Sequence, residues 1–272
     1  MSGADGVAAR PLKPAPPLRA RAVLWRSLDV ARRRFPSFLL LTFVCNLPAY
    51  IAHFALMDGF GESTDAGSWS VPALMAGYAA YFLVGPVTGA ALSSPTMASL
   101  GYGALAAMGA VLTTGVAAYA VTEDSRGRRF PIREALAAAL RRFGPLAGVG
   151  AVETILRTLG APFLAAPAVI VLCVLFVAEP VCVVERQGVL ASLRRSADLT
   201  RGRRWALFRL LLLFFCVGEA YYVGAALLEP PTLVLYAVTE PLTAWWAIVS
   251  GVAYVHLRTA REQGGDVARV FE

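Results

Sequence analysis

Apolar runs of about twenty residues follow one another along most of this chain, separated by short polar stretches, at 37–57, 101–122, 144–159, 163–183, 206–228 and 233–257. Runs of that length match a hydrocarbon core about 30 Å thick. They predict an all-α integral membrane protein with six transmembrane helices arranged as three hairpins. The stretch 71–92 is also apolar and long, but Gly85-Pro86 and Gly89 make it a poor straight helix. We read it as a re-entrant or outer-leaflet segment, with Ser94-Pro95 as the N-cap and first-turn proline of the next helix. A seventh full crossing is the alternative.

Ahead of three of these runs the periodicity changes to that of an amphipathic helix. Leu24, Leu28, Ala31 and Phe35 recur at helical spacing before the first, and Ile132, Leu136, Ala139, Leu140 and Phe143 before the third. Val189, Leu193 and Ala197 do so more weakly before the fifth. Each segment ends in Arg-Arg-aromatic: Arg33-Arg34-Phe35, Arg141-Arg142-Phe143 and Arg203-Arg204-Trp205. This is the expected form of a helix lying in the headgroup plane and feeding a span. The chain then reads as three parallel units, each an interfacial helix followed by a hairpin; convergence on a common entry signal accounts for the likeness equally well.

Charge sharpens the topology. Of 25 Lys and Arg residues, 24 fall within 1–35, 123–143, 184–209 and 256–272, and the exception is Arg157. Basic loops resist translocation, so this partition places all four segments and both termini on the cytoplasmic side of a bacterial inner membrane. The expected organisation is a disordered Pro/Ala-rich tail at 1–20, one membrane domain over 21–258 and a cytoplasmic tail at 259–272. With 57% hydrophobic and 16% charged residues, the chain has too little polar surface for a soluble domain. A net charge of +7 concentrated at membrane-entry points selects anionic lipid headgroups over nucleic acid as partners.

Candidate chemistry is sparse. Cys45, Cys173, Cys182 and Cys216 have no paired spacing, and His53 and His256 are the only histidines, so neither a metal nor a cofactor is expected. No hydrolase, zinc-protease, P-loop or dinucleotide motif is present, which argues against an enzyme. Inside the runs stand Glu153 and Arg157, one helical turn apart, and the further acids Glu179, Glu219 and Glu240. A charge at bilayer depth costs on the order of 3 kcal/mol, so Glu153 and Arg157 are expected to neutralise each other. They serve either as packing glue, with Arg157 snorkelling outward, or as part of a binding spot or gate. Asn46 and His53 read as interhelical hydrogen-bonders. Small residues at Gly85-x-x-x-Gly89, Gly144-x-x-x-Gly148 and Ala106, Gly109, Ala110, Thr113, Ala117 permit close helix contact within the chain, with a membrane-protein partner or in a weak homodimer.

The segment Glu185-x-x-Gly188, Leu193-Arg194-Arg195-Ser196, Leu199-Thr200-Arg201-Gly202, Arg204-Trp205 and Phe208, with Tyr254, Leu257-Arg258, Arg261-Glu262 and Val270-Phe271 closing the chain, resembles the membrane domain of glycerophosphoryl diester phosphodiesterases and the similar YciC-like uncharacterised inner-membrane proteins. His256 departs from the acidic residue of that pattern, and Gln263 interrupts its Glu-Gly. The resemblance covers about 184–272 and implies a membrane module alone, because the phosphodiesterase activity of fused relatives belongs to a separate soluble barrel.

Two functions follow as expectations. One is a non-enzymatic scaffold or lipid-organising module gripping anionic headgroups through Arg33, Arg34, Arg141, Arg142, Arg194, Arg195, Arg203 and Arg204. The other is a transporter or exporter of a small or lipid-derived molecule, with Glu153, Arg157, Glu179, Glu219 and Glu240 lining one midplane site.

Overall fold

Helix occupies the apolar runs and the amphipathic segments alike. The computed structural model describes residues 20–60, 97–128, 132–160, 166–228 and 232–270. In chain order these hold α1 (Ala20–Phe60), α2 (Met97–Ser125), α3 (Ile132–Leu140), α4 (Phe143–Gly160), α5 (Ala166–Leu175), α6 (Ala178–Val184), α7 (Val189–Thr200), α8 (Arg204–Leu228) and α9 (Thr232–Val270), with no strand among the described residues. The readings placed on 1–19, on 61–96 and on the turns at 161–162 and 229–231 lie outside the described residues, as does the side chain of His53.

Among the described residues, Ala20–Ala52, Gly103–Ser125 and Ala166–Val184 are long and apolar enough to cross a membrane. The bent pair α3 and α4 adds a fourth if taken as one span. The 25 residues of α8 make a rod of about 37 Å. Helix α9 runs on to Val270, so the expected tail after residue 258 continues the helix instead of leaving it.

All three Arg-Arg-aromatic joins are breaks. α1 leaves helical geometry at Arg34 (φ −135°, ψ 20°), two residues before Pro36, whose missing N–H and ring clash disrupt the preceding turn. Between α3 and α4 the axis turns by 70° at Arg141-Arg142. Between α7 and α8 it turns through Gly202, whose φ of +78° only glycine adopts without strain.

The amphipathic segments turn most of their expected apolar faces inward, with Leu24, Ala31 and Phe35, Leu136 and Ala139, and Val189 and Leu193 packed on the core, while Leu28 and Leu140 stay exposed. The first segment buries Val23, Ser27, Val30 and Ala31 while Trp25 stays 62% exposed, and Leu28 also faces out. In α3 the small residues Ala135 and Ala139 are buried and Leu140 is exposed. α7 buries Ser192, Ser196, Leu199 and Thr200, and leaves Leu190 67% exposed. Small and hydroxylated side chains beside these apolar residues let each segment dock closely on the bundle, and the remaining large apolar residues, Trp25, Leu28, Leu140 and Leu190, face outward.

What α7 docks on is a break in the long rod α5–α6. Pro180 has no N–H for the carbonyl of Phe176, four residues back, and the helix is interrupted at Phe176-Val177. Two freed carbonyls then take hydroxyl donors from other helices. Ser196 of α7 donates to the Val174 oxygen at 2.9 Å, the Thr200 hydroxyl lies 3.2 Å from the same oxygen and 2.9 Å from the Ser196 carbonyl, and Ser250 of α9 donates to the Phe176 oxygen at 3.1 Å. The Phe176 ring meets Trp246 edge-on at 5.4 Å, and Phe214 of α8 meets Trp246 at 5.1 Å and Trp245 at 4.8 Å. One proline thus locates α7, α8 and α9.

α1, α2 and α9 pack against one another along the other side of the bundle. The small-residue run in α2 is used there: a Cβ on Gly109 would meet the Cys45 carbonyl oxygen at 2.8 Å and overlap the Asn46 side chain. Gly148 likewise faces Val189, whereas a Cβ on Gly144 would meet nothing.

The shared Val174 carbonyl generates a non-additive expectation. Ser196→Ala lets the Thr200 hydroxyl turn to that oxygen, and Thr200→Ala leaves Ser196 on it, so each single change should cost less than about 1 kcal/mol. The double variant strands the carbonyl and should cost more than the two singles summed, and Ser250→Ala should cost about 1 kcal/mol alone. Equilibrium unfolding in mixed micelles tests this; simple additivity of the α7 pair would show that the carbonyl is not shared.

Candidate functional site

Two polar groupings stand out, one inside the bundle and one at its end. Inside, Glu153 on α4 and Glu179 in the first turn of α6 face each other within electrostatic reach, and Arg157 of α4 reaches both. Thr114 of α2 completes the group: its hydroxyl is in reach of both the Glu179 carboxyl and the Ala110 carbonyl, the latter at 3.0 Å. Helical rise gives the depth. Thr114 lies ten residues from Asp124 and Glu153 ten from Phe143, about 15 Å each, and Glu179 lies six from Glu185, about 9 Å. The group therefore lies about 9 to 15 Å along the helices from their charged ends.

The expected self-neutralising Glu153–Arg157 pair is not closed. The ion pairs among the described residues do not include it, and the Arg157 Nε is buried without a hydrogen-bond partner. A second carboxylate, Glu179, shares the guanidinium's field from a different helix, which the spacing along α4 alone could not disclose.

The other two acids stand apart. Glu240 is buried between α9 and α1, where Asn46 Nδ2 donates to its Oε1 at 3.4 Å. Glu219 is half-buried on α8, with one carboxyl oxygen buried and unpartnered. Both stand on helices other than those of Glu153 and Glu179, Glu240 on α9 and Glu219 on α8. The five residues therefore occupy three places instead of lining one site.

At the end of the bundle the four basic segments converge. Arg34 pairs with Asp124 at 3.7 Å, joining the first to the second. Arg142 lies within electrostatic reach of Cys182, at the threshold of the third. Glu185 joins the third to the fourth: Arg195 pairs with it at 3.2 Å and the Tyr254 hydroxyl donates to it at 3.1 Å. Arg258 then donates to the Tyr254 oxygen at 3.2 Å and to Glu262 at 2.7 Å. The Glu262 bond is the chief reason its guanidinium holds its proton more tightly than an ordinary arginine. Burial, and then Arg261 beside it, has the opposite effect on Arg203.

The eight arginines expected at lipid divide accordingly. Arg33, Arg34 and Arg195 are engaged within the chain, with Asp29 at 2.6 Å, Asp124 and Glu185. Arg142 and Arg203 are half-buried, and Arg141, Arg194 and Arg204 are exposed. Beside these exposed arginines stand Leu140, Leu190 and Trp205, the last 78% exposed.

Glu185, Tyr254 and Arg258 were visible in sequence only as parts of the family pattern, with no role attached. Thr114 carried no signal beyond its place next to the small-residue stripe. Asn46 does act as an interhelical donor.

Comparison with known proteins places one stretch. Residues 132–257 match a domain of unknown function, DUF7847. The matched stretch is a little under half of the chain, and it holds α3 through most of α9, and with them Glu153, Arg157, Glu179, Glu185 and Tyr254. No curated protein and no solved structure matches the chain.

The end network yields its own test. Glu185→Gln removes the charge facing Arg195, and Tyr254→Phe removes the bridge to Arg258. Because both changes act on one hydrogen-bonded unit, a double-mutant cycle should give a coupling of about 1 kcal/mol in unfolding free energy. A coupling within error of zero would dissolve the network into independent contacts.

Proposed function

We propose that this chain is a non-enzymatic, multi-pass inner-membrane module that organises anionic lipid at its basic end. In this reading the chain crosses the bilayer six times, with α8 and α9 as the last two spans and both termini cytoplasmic. The observation that carries it is the convergence of all four basic segments at one end of the bundle. There the exposed Arg141, Arg194 and Arg204 alternate with exposed Trp25, Leu140, Leu190 and Trp205. Guanidinium groups interleaved with large apolar and indole side chains suit a headgroup layer, polar above and apolar below. The likeness to the membrane domain of glycerophosphoryl diester phosphodiesterases supports a membrane module with no catalytic part of its own.

Paired arginines contribute to architecture and exposed ones to lipid. At about 1 kcal/mol for each cation near a charged leaflet, the triple variant Arg141→Glu, Arg194→Glu, Arg204→Glu should lose most of the phosphatidylglycerol that co-purifies with wild type from mixed phosphatidylglycerol and phosphatidylethanolamine membranes. Native mass spectrometry counts the retained lipid, and cysteine accessibility at the basic end reports orientation. Lipid retention and orientation both equal to wild type would remove the grip.

A further inference from the structure

We propose that Glu240 and Asn46, where α1, α2 and α9 meet, form a buried site that takes and releases one proton. The site is separate from the basic end and stands or falls independently of the lipid reading. Glu240 is 4% exposed and Asn46 8%, and Asn46 Nδ2 donates to Glu240 Oε1 at 3.4 Å. The other carboxyl oxygen, Oε2, is buried and has no hydrogen-bond partner. The ion pairs among the described residues do not include Glu240.

Gly109 fixes which way the amide faces. Having no side chain, it lets α2 approach until a Cβ would overlap the Asn46 Oδ1 and meet the Cys45 carbonyl oxygen at 2.8 Å. The amide oxygen therefore lies against α2 and the amide NH2 points to Glu240. The hydroxyls one turn away bond within their own helices, Thr42 to the Phe38 carbonyl and Thr113 to the Gly109 carbonyl, both at 2.8 Å. An ionised carboxylate accepts at both oxygens and, out of water, needs a donor or a cation at each. A carboxylic acid fills Oε2 with its own proton and carries no charge. One such oxygen suits a proton, whereas a metal ion asks for several converging donors.

The titratable neighbour that α1 turns toward Glu240 is Cys45, itself buried; His53, seven residues on, has no described side chain. The acids of α2, Glu123 and Asp124, lie about 20 Å along that helix from Gly109, and His256 and Arg258 about 24 Å or more along α9 from Glu240. A glutamine at 240 would make the same contact with Asn46 at no electrostatic cost. What a glutamate adds is a proton that can leave.

Infrared difference spectroscopy of the full chain in phosphatidylcholine nanodiscs, between low and high pH, tests the site. Wild type should show a protonated-carboxyl band that fades reversibly as the pH rises, and Glu240→Gln should lack one component of it while keeping those of the other acids. Asn46→Leu removes the amide donor and leaves the carboxyl, so it should move that component to higher wavenumber, and Gly109→Ala, which displaces the same amide, should do likewise. Wild-type and Glu240→Gln spectra that superimpose at every pH would overturn the site. A Glu240 component of constant size across the pH range would overturn the exchange, and one unmoved in both Asn46→Leu and Gly109→Ala would remove Asn46 from it. Because the wild-type pH response requires no substitution and two of the variants keep the carboxyl, the test holds even where Glu240→Gln folds poorly.

Discussion

A backbone carbonyl buried among apolar side chains must find a donor, and an interruption in a helix that has no access to water leaves at least one without. Pro180 creates that situation in the middle of α5–α6. The donors come from elements distant in sequence: Ser196 and Thr200 on a short amphipathic helix, and Ser250 on the last long one. Each hydrogen bond is modest in net free energy, yet an unmet carbonyl would cost more than any of them contributes. The register of α7 and of α9 against the break is therefore tightly specified. The rings of Phe176, Phe214, Trp245 and Trp246 fill the widened space around it.

That register propagates to the basic end. Once Ser196 is held at Val174, its neighbour Arg195 is carried to Glu185, at the end of α6. Once Ser250 is held at Phe176, Tyr254, one turn further along α9, is carried to the same carboxylate. One glutamate thus receives an arginine and a tyrosine whose positions were already set within the bundle. Most positions of the Leu-Arg-Arg-Ser-x-x-Leu-Thr-Arg-Gly pattern acquire a physical role. Arg195 meets Glu185, Ser196 and Thr200 meet the break, Leu199 enters the core, and Gly202 makes the left-handed turn into α8. Arg194 points outward, which is why it remains available to lipid in the proposed function.

Much of this was legible in the sequence, and the remainder was hidden for identifiable reasons. Helix content and the three breaks follow from apolar period, arginine pairs, proline and glycine, all of which act locally. The apolar period marked much of the inward face of these segments, Leu24, Ala31, Leu136, Ala139 and Leu193 among them, but it passed over Ser27, Ser192, Ser196 and Thr200, which are buried because close packing and carbonyl satisfaction select small and hydroxylated side chains. The five intramembrane charges could not be sorted into one site or several, since helix spacing relates Glu153 to Arg157 but says nothing about Glu179 arriving from α6. Glu240 was equally undetermined until Asn46 was seen opposite it.

The two kinds of polar group in this bundle behave differently, and the contrast bears on what each is for. Hydroxyls at the Pro180 break are satisfied: each has a carbonyl, and together they restore what the proline removed. Asn46 and Glu240 are nearly so, with one carboxyl oxygen bonded and one buried and unpartnered. Around Glu153, Glu179 and Arg157 satisfaction is incomplete, for the Arg157 Nε is buried without a hydrogen-bond partner. Were these residues only packing glue, an alanine or leucine would hold α2, α4 and α6 together at lower electrostatic cost, since buried charge is a poor way to gain stability.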